Sequence, residues 1–415
     1  MDAASKKEAK MIGFAMLAGL VLGLILYFAG LSDWAAYLKP IGTIFIRLLK
    51  MVIIPLVVSS IFMSMINLGT PEALGSMGRK AVGYYFVTTA IAVLFGLIFV
   101  NLINPGVGAD LGAKGLEGLS SGMAEKVTSQ KGLYQTVVGV VVDAIPSNPF
   151  GAMANSTVLQ VIVFSILFGI VALYNREKST PMVNFMESLE HMSLKLTHGI
   201  MKFAPIGIFV LMLDIMAKSG TGAIVSLSKY ILAVLIGLGC HAGFLMFVAS
   251  ARLKKSPIFI LKGIGPAVLT AFSTASSAAT LPITMANVEE NLGVRKDTAK
   301  FVLPLGATIN MDGTALYESV AAIFIAQAFN IDLTIGQQVI IFMTASLAAI
   351  GAAAIPGAGL ITMSIVLGAV GLPLEGIGLI LAVDRFLDMF RTAVNVFGDA
   401  VGTIVVDSLI KEENV

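Results

Sequence analysis

The sequence predicts an all-α polytopic membrane protein, on three observations. Hydrophobic residues make up 57% of the 415 residues and charged residues only 13%, about half the charged share of an ordinary globular chain. Apolar runs long enough to cross a bilayer recur along most of the length. From Pro257 onward those runs are broken in their middles by small and polar residues. A mean hydropathy of +0.92 leaves too little charge to cover a water-soluble surface, and the same composition excludes disorder, collagen, coiled coil and a disulfide scaffold. The net charge of +2 offers nucleic acid no electrostatic footprint. A lone Cys240 excludes intrachain disulfides and a Cys-based metal site, and His191, His198 and His241 form no ligand-spaced cluster, which counts against a cysteine or serine hydrolase.

Lys6, Lys7 and Lys10 precede an apolar run from Met11 to Gly30, as long as the ~20 residues a spanning helix needs. With no small-residue cleavage site after it, the run reads as a first spanning helix whose N-terminus is cytoplasmic. Further runs follow at 41–68, 81–104, 155–174, 196–217 and 228–250. If each crosses once, the basic clusters Arg79/Lys80, Arg176/Lys178 and Arg252/Lys254/Lys255 share the side of the N-terminus. The Gly-, Ser- and charge-rich stretch between Asn104 and Asn155 reads as an external loop, and its apolar Val137–Ile145 is too short to span unaided.

Residues 257–290 are apolar at both ends but hold Ser273, Thr274, Ser276, Ser277, Thr280 and Pro282 in between. A helical hairpin that enters and leaves on one side, with a small polar tip, explains this pattern; a spanning helix with a polar packing face is the other reading. Leu333–Ala369 repeats it, broken by Gly351, Pro356, Gly357 and Gly359. Each segment precedes a long helix interrupted by polar residues, Phe301–Gln327 and Ile377–Leu409. Arg295, Lys296 and Lys300 keep the first unit cytoplasmic, so the two enter from opposite sides. Paired interrupted segments of this kind point to the binding site of a transporter.

In Phe301–Gln327, Pro304, Gly306 and Gly313 weaken the helix, so carbonyls near Gly306 and Asn310 are expected to turn away from their intrahelical partners. With Asp312 they form an oxygen set suited to a hard cation such as sodium. An acid at this depth costs about 2.5–3.5 kcal/mol on insertion scales; the alternative is a structural Asp paired with a basic residue. In Ile377–Leu409, Asp384, Asp388, Arg391, Asn395 and Asp399 step by four and three and share one helix face. Arg391 can hold a carboxylate bidentately, Asp388 can accept an ammonium, and Asn395 and Asp399 offer oxygens to a cation. A ligand with two carboxylates and an amine fits such a stripe; a self-neutralising network serving only helix packing is the other reading. Arg385 either pairs with Asp388 or Asp384 or faces an interface. Glu318 is a further in-membrane acid and a candidate proton carrier. Tyr85, Thr88 and Thr89 lie in the third run, where residue type alone favours packing, and the 21 methionines read as core and lipid-facing filler.

These residues carry a resemblance. The Ser/Thr-rich tip ending Thr280-Leu281-Pro282, the run Asn310-Met311-Asp312-Gly313-Thr314, the tip Pro356-Gly357-Ala358-Gly359 and Arg391-Thr392 with Asn395 and Asp399 are similar to the dicarboxylate/amino acid:cation symporters, the excitatory amino acid transporters and their prokaryotic homologues. The likeness covers essentially the whole chain. It implies eight transmembrane helices with two opposed re-entrant hairpins, inverted repeats, a homotrimer and an elevator-type transport domain. Residues 1–80 would hold scaffold helices 1 and 2, 105–154 the external loop and start of helix 4, and 155–220 scaffold helices 4 and 5. Helix 3 at 81–104, hairpin 1 and helix 7 at 257–332, and hairpin 2 and helix 8 at 333–415 would belong to the transport domain, with helix 6 at 221–256.

Carried over, the resemblance implies that the substrate's main carboxylate meets Ser276, Ser277, Ala278 and Asn395, and its amine meets Asp388. Its side-chain carboxylate would meet Arg391 and Thr314, with Met311 and Thr392 beside it and Ile355, Pro356, Gly357, Ala358 and Gly359 closing over it. Three sodium sites are implied: Gly306, Asn310, Asn395 and Asp399; Thr308 with Ala349, Ile350 and Ala352; and Tyr85, Thr88, Thr89, Asn310 and Asp312. Ala275 and Met389 stand where archaeal and animal members respectively carry an Arg, while Glu318 matches the animal transporters. The expectation is a sodium-coupled symporter of L-aspartate or L-glutamate in the bacterial plasma membrane, with Na+ as transported ion, no organic cofactor and a proton route through Glu318. The rivals are a proton-driven glutamate carrier, a neutral amino acid exchanger and, from another class, an anion channel.

Overall fold

A computed structural model describes residues 3–66, 77–109, 142, 144–155, 157–350 and 358–413. Most of the external connector and the second tip at 351–357, including Ala352, Ile355, Pro356 and Gly357, lie outside the described residues. Among the described residues the regular elements are all helices. They are α1 (Ala3–Phe28), α2 (Lys39–Ile66), α3 (Arg79–Ile103), α4 (Pro149–Ala154), α5 (Val158–Tyr174), α6 (Arg176–Met201), α7 (Ala204–Ser219) and α8 (Thr221–Leu253). After them come α9 (Pro257–Thr274), α10 (Ser277–Ala286), α11 (Lys296–Ile309), α12 (Asp312–Ala328), α13 (Ile335–Ile350), α14 (Ala358–Ala369) and α15 (Ile377–Glu413).

Among the described residues four stretches, Arg79–Ile103, Ile224–Leu253, Pro257–Thr274 and Val383–Glu412, are each long and apolar enough to cross a membrane. Phe14, Phe28, Leu102, Phe247 and Leu269 stand exposed on the outer surface, where hydrocarbon is the solvent that suits them. By contrast α12 is buried on nearly every side. It therefore lies in the core and carries Asp312, Thr314, Glu318 and Ser319 there with it.

Two groups of helices result. Helix α1 packs along α7, and α2 packs against α5, α6 and α7. The second group gathers α3, α8, α9, α11 and α12 around α15, with α10 against α9 and α13 against α14. The groups meet where α7 touches α15 and where α14 touches α2 and α5.

Helix α9 ends at Ala275, whose left-handed φ of 50° turns the chain, and the Ser276 hydroxyl accepts from the Ala279 N–H at 3.2 Å to start α10. The returning arm runs antiparallel: Asn287 Oδ1 accepts from the Ala267 N–H at 3.1 Å, and Asn291 Nδ2 donates to the Gly263 carbonyl at 2.9 Å. Both arms root near the C-terminal end of α15, which Lys80, Arg252 and Arg295 also reach. Helix α13 starts at the other end, where Asn101 donates to Gln338 and Gln327 to Asn104, each at 3.1 Å.

Three expectations change. The 196–217 run is not one helix: α6 extends back to Arg176 and stops at Met201, and α7 begins again with Pro205 in its first turn. Proline lacks the N–H that would continue the ladder. The first half of α6 is polar and escaped a search for apolar runs. The backbone of Phe301–Gln327 breaks at Asn310 (ψ 94°) and Met311 (φ −121°, ψ 44°), not at its prolines or glycines. The Gly306 carbonyl stays paired, accepting from the Asn310 N–H at 2.8 Å.

Gly19 and Gly23, four apart on α1, let it lie against α7: a Cβ on Gly19 would sit 2.5 Å from the Phe209 carbonyl oxygen, and one on Gly23 2.8 Å from that of Leu213. Small residues at this spacing are how membrane helices approach closely. Gly19→Leu or Gly23→Leu should force the pair apart, costing about 1–3 kcal/mol, read as a lower melting temperature in detergent with α1 cleaved more readily by protease.

Candidate functional site

The break at Asn310–Met311 lets two short helices aim polar groups at one face of α15. Asn310 is fully buried; its Nδ2 donates to Asp399 Oδ1 at 2.8 Å and to the Asn395 carbonyl at 3.1 Å, and its Oδ1 has no partner among the described residues. Asn395 Oδ1 accepts from the Gly313 N–H at 2.8 Å, while its Nδ2 faces Met311 Sδ at 3.3 Å and Thr314 Oγ1 at 3.4 Å. The stripe predicted on α15 is thus one buried face.

Asp312 opens α12, where the helix N-terminus favours an anion. Its Oδ1 accepts from Thr89 Oγ1 at 2.6 Å and Thr88 Oγ1 at 3.4 Å, and its Oδ2 lies 2.8 Å from His241 Nε2. The structural-Asp alternative therefore holds in part: its partner is a histidine that sequence left unassigned. Tyr85 donates to the Val302 carbonyl at 3.1 Å and borders Gly306 and Asp399. Asp399 makes no ion pair among the described residues. Nor do three His, Cys, Asp or Glu side chains gather there as a metal cluster. Hydroxyl, amide and carboxylate oxygens of this kind suit a hard cation rather than a soft one.

One to two turns earlier on α15, Arg391 is 1% exposed. Its Nη2 lies 2.8 Å from Asp388 Oδ1 and 3.2 Å from Asp384 Oδ1, and its guanidinium sits 3.9 Å above the Tyr317 ring. Tyr317 in turn donates to Asp384 at 2.8 Å. Arg391 Nε and Nη1 have no hydrogen-bond partner among the described residues, so two edges of the fork remain for an acceptor. The salt-bridge alternative accounts for Nη2 alone. Arg385 pairs with Asp388 Oδ2 at 3.5 Å and is partly exposed. Tyr317 was missed because an uncharged aromatic beside Thr314 carries no signal until α12 and α15 are packed.

The remaining candidates fall around this centre. Ser276 and Ser277 are buried at the first tip but Ala278 is exposed, the tip having turned its third residue outward. Phe272, on the last turn of α9, packs edge-on against Phe390 of α15 at 5.0 Å. Thr392 and Thr314 are buried. Thr308 donates to the Leu305 carbonyl at 2.9 Å, on α11 where it touches α13. Ala349 and Ile350 close α13, and the Ile350 carbonyl accepts from Ser64 of α2 at 3.5 Å. Gly359, just after Ala358 at the start of α14, lies on Arg391: a Cβ there would be 2.7 Å from Nη1. Glu318 is fully buried with Thr362 of α14 beside it.

Residues 9–409 match the model of the sodium:dicarboxylate symporter family. The chain belongs to that family. This symporter is 35% identical over 402 residues to a proton/sodium-glutamate symport protein of Bacillus caldotenax, covering 95% of this chain and 93% of that one. It is 33% identical to a proton/glutamate-aspartate symporter of Escherichia coli, across 95% and 90% of the two chains. It is also 38% identical to excitatory amino acid transporter 3 of Oryctolagus cuniculus, across 96% and 84%.

Gly306 of the symporter has no room for a side chain: a Cβ would lie 2.5 Å from the Tyr85 hydroxyl and 2.7 Å from Asp399 Oδ1. Gly306→Ala should displace Asp399 and cost about 1–3 kcal/mol. A fall in the detergent melting temperature of the purified protein is the readout.

Proposed function

We propose that the chain carries out sodium-coupled symport of acidic amino acids, L-aspartate or L-glutamate, across the bacterial plasma membrane. One observation carries this reading. Among the described residues, Asp312 and Asp399 are buried without an Arg or Lys partner, beside a buried Arg391 whose Nε and Nη1 have no hydrogen-bond partner. Uncompensated carboxylates in a dry interior cost on the order of several kcal/mol each. Sodium ions bound as cargo at Asp312 and Asp399 remove that cost. The free edges of the guanidinium then receive the substrate's side-chain carboxylate, Asp388 its amine, and Asn395 with the Ser276–Ser277 tip its main carboxylate. The names of two relatives, a proton/sodium-glutamate symport protein and a proton/glutamate-aspartate symporter, support an acidic amino acid as substrate, and the first of them supports sodium as a coupling ion.

In this reading α9–α10 and α13–α14 are re-entrant hairpins entering from opposite faces. The bundle gathered on α15 is a transport domain that slides as an elevator against a scaffold of α1, α2 and α5–α7, with eight spanning helices and three copies per assembly. The basic residues Lys80, Arg252, Arg295 and Lys411 at one end of α15 support a cytoplasmic assignment for that end. In the same reading sodium binding lets the second hairpin close over its substrate, so that translocation is conditional on sodium. A neutral exchanger fits less well, because Arg391 beside a small neutral side chain would keep two buried donors unmet.

Uptake of radiolabelled L-aspartate into proteoliposomes tests the reading: saturable uptake that needs an inward sodium gradient is expected. Uptake that ignores sodium and follows a pH gradient would move the assignment to a proton-driven carrier, and non-saturating conductance to a channel. Arg391→Thr should lower aspartate uptake by about two orders of magnitude, from roughly 2–5 kcal/mol for truncating a buried charged partner; full uptake by the variant would remove Arg391 from the substrate site. A second coupling ion is favoured by the burial of Glu318 away from any ion pair among the described residues. Glu318→Gln should abolish stimulation of uptake by an inward proton gradient while sodium stimulation persists.

A further inference from the structure

His241 is fully buried on α8, seventy-one residues from Asp312 in sequence and 2.8 Å from it through Nε2. Phe95 of α3 lies edge-on to its ring at 6.3 Å between centroids, and Phe244 of α8 stacks on it at 6.1 Å. Its Nδ1 has no partner among the described residues. The ring is wedged between aromatic rings and makes one polar contact among the described residues.

Three groups therefore hold the Asp312 carboxylate, and they differ in chemistry. Thr88 and Thr89 reach Oδ1 through hydroxyls, and a hydroxyl carries lone pairs as well as a hydrogen. When a cation arrives, both can rotate their hydrogens away and present oxygen to it. A ring N–H can only donate to an ionised carboxylate. Nε2 must stay on Oδ2 whether the cation is present or not.

We propose that His241 is a positioning residue for cation binding. By holding Oδ2 toward α8 it keeps Oδ1 facing Thr88 and Thr89, and spares the carboxylate a reorientation each time the ion binds or leaves. It does not touch the ion. Donors behind a metal-ligating group set its orientation in the same way, and their loss typically weakens the site by about 10- to 100-fold. This inference rests on the assignment of Asp312 to sodium made above.

The test uses the full-length protein in proteoliposomes, with L-aspartate uptake measured across a sodium series. His241→Phe keeps an aromatic ring in the slot and removes the donor; His241→Gln returns an N–H near the position of Nε2. His241→Phe should raise the half-saturating sodium concentration about tenfold while leaving the aspartate KM at saturating sodium within about twofold. His241→Gln should return the sodium dependence to within about threefold of the parent. A sodium curve for His241→Phe that overlays the parent's overturns the inference, as does a glutamine variant as impaired as the phenylalanine one, which would reduce His241 to packing. Should His241→Phe lose its monodisperse gel-filtration peak, His241→Gln carries the test by itself: a shift under threefold supports the donor role and a tenfold shift overturns it. If the parent protein takes up aspartate without regard to sodium, the sodium assignment itself has failed, a result distinct from either outcome with the variants.

Discussion

A carboxylate sealed from water must receive hydrogens from the protein or a positive charge from elsewhere, and Asp312 draws on three helices to meet that requirement. It sits at the start of α12 and accepts from α3 through Thr88 and Thr89 and from α8 through His241. The contacts of α3, α8 and α12 with one another converge on this group. Asp399 makes the same demand from α15 and is met by Asn310. The amide can reach it because the backbone leaves helical geometry at that residue. The break in the helix is thus tied to the charge it serves.

Arg391 obeys the same constraint with opposite sign. Two carboxylates on its own helix and the face of Tyr317 replace the water it has lost, a cation–π contact worth up to about 2 kcal/mol when desolvated. Only Nη2 is committed to the carboxylates. On the proposed reading, anionic substrate and cationic cargo meet opposite, incompletely satisfied charges a few turns apart along α12 and α15. Each therefore makes the other easier to bind, which is what coupling requires energetically.

The two ends of α15 differ as well. At its C-terminal end Asp407 is buried and accepts from Arg295 at 2.6 Å, with Lys411 at 2.7 Å and Thr298 at 3.0 Å, and Lys80 reaches the Leu409 carbonyl. The opposite end of the bundle is joined by neutral amides, Asn101 with Gln338 and Gln327 with Asn104. On the proposed reading, the basic end is the cytoplasmic one, as expected if basic residues stay on the side from which a membrane chain is inserted.

The one-dimensional pattern by itself determined the helical membrane class, the bounds of the runs at 41–68 and 81–104 to within two residues, the polar tip at Ser276 and the shared face of Asp384, Asp388, Arg391, Asn395 and Asp399. Each of these depends on local spacing and on the cost of polar atoms in hydrocarbon, both readable residue by residue. It also marked Asn310, Asp312 and Thr314 as a unit. Helix α6 escaped because its polar first half gives no hydrophobic signal, and of the two carbonyl positions expected to turn away the backbone departs at Asn310, which is held by tertiary partners, while the Gly306 carbonyl stays paired. His241 and Tyr317 carry no local mark at all. A histidine between phenylalanines and a tyrosine in an apolar helix look like packing until α8, α12 and α15 come together. Which donor completes a buried charge is a property of the assembled interior, because the partners come from segments far apart in the chain.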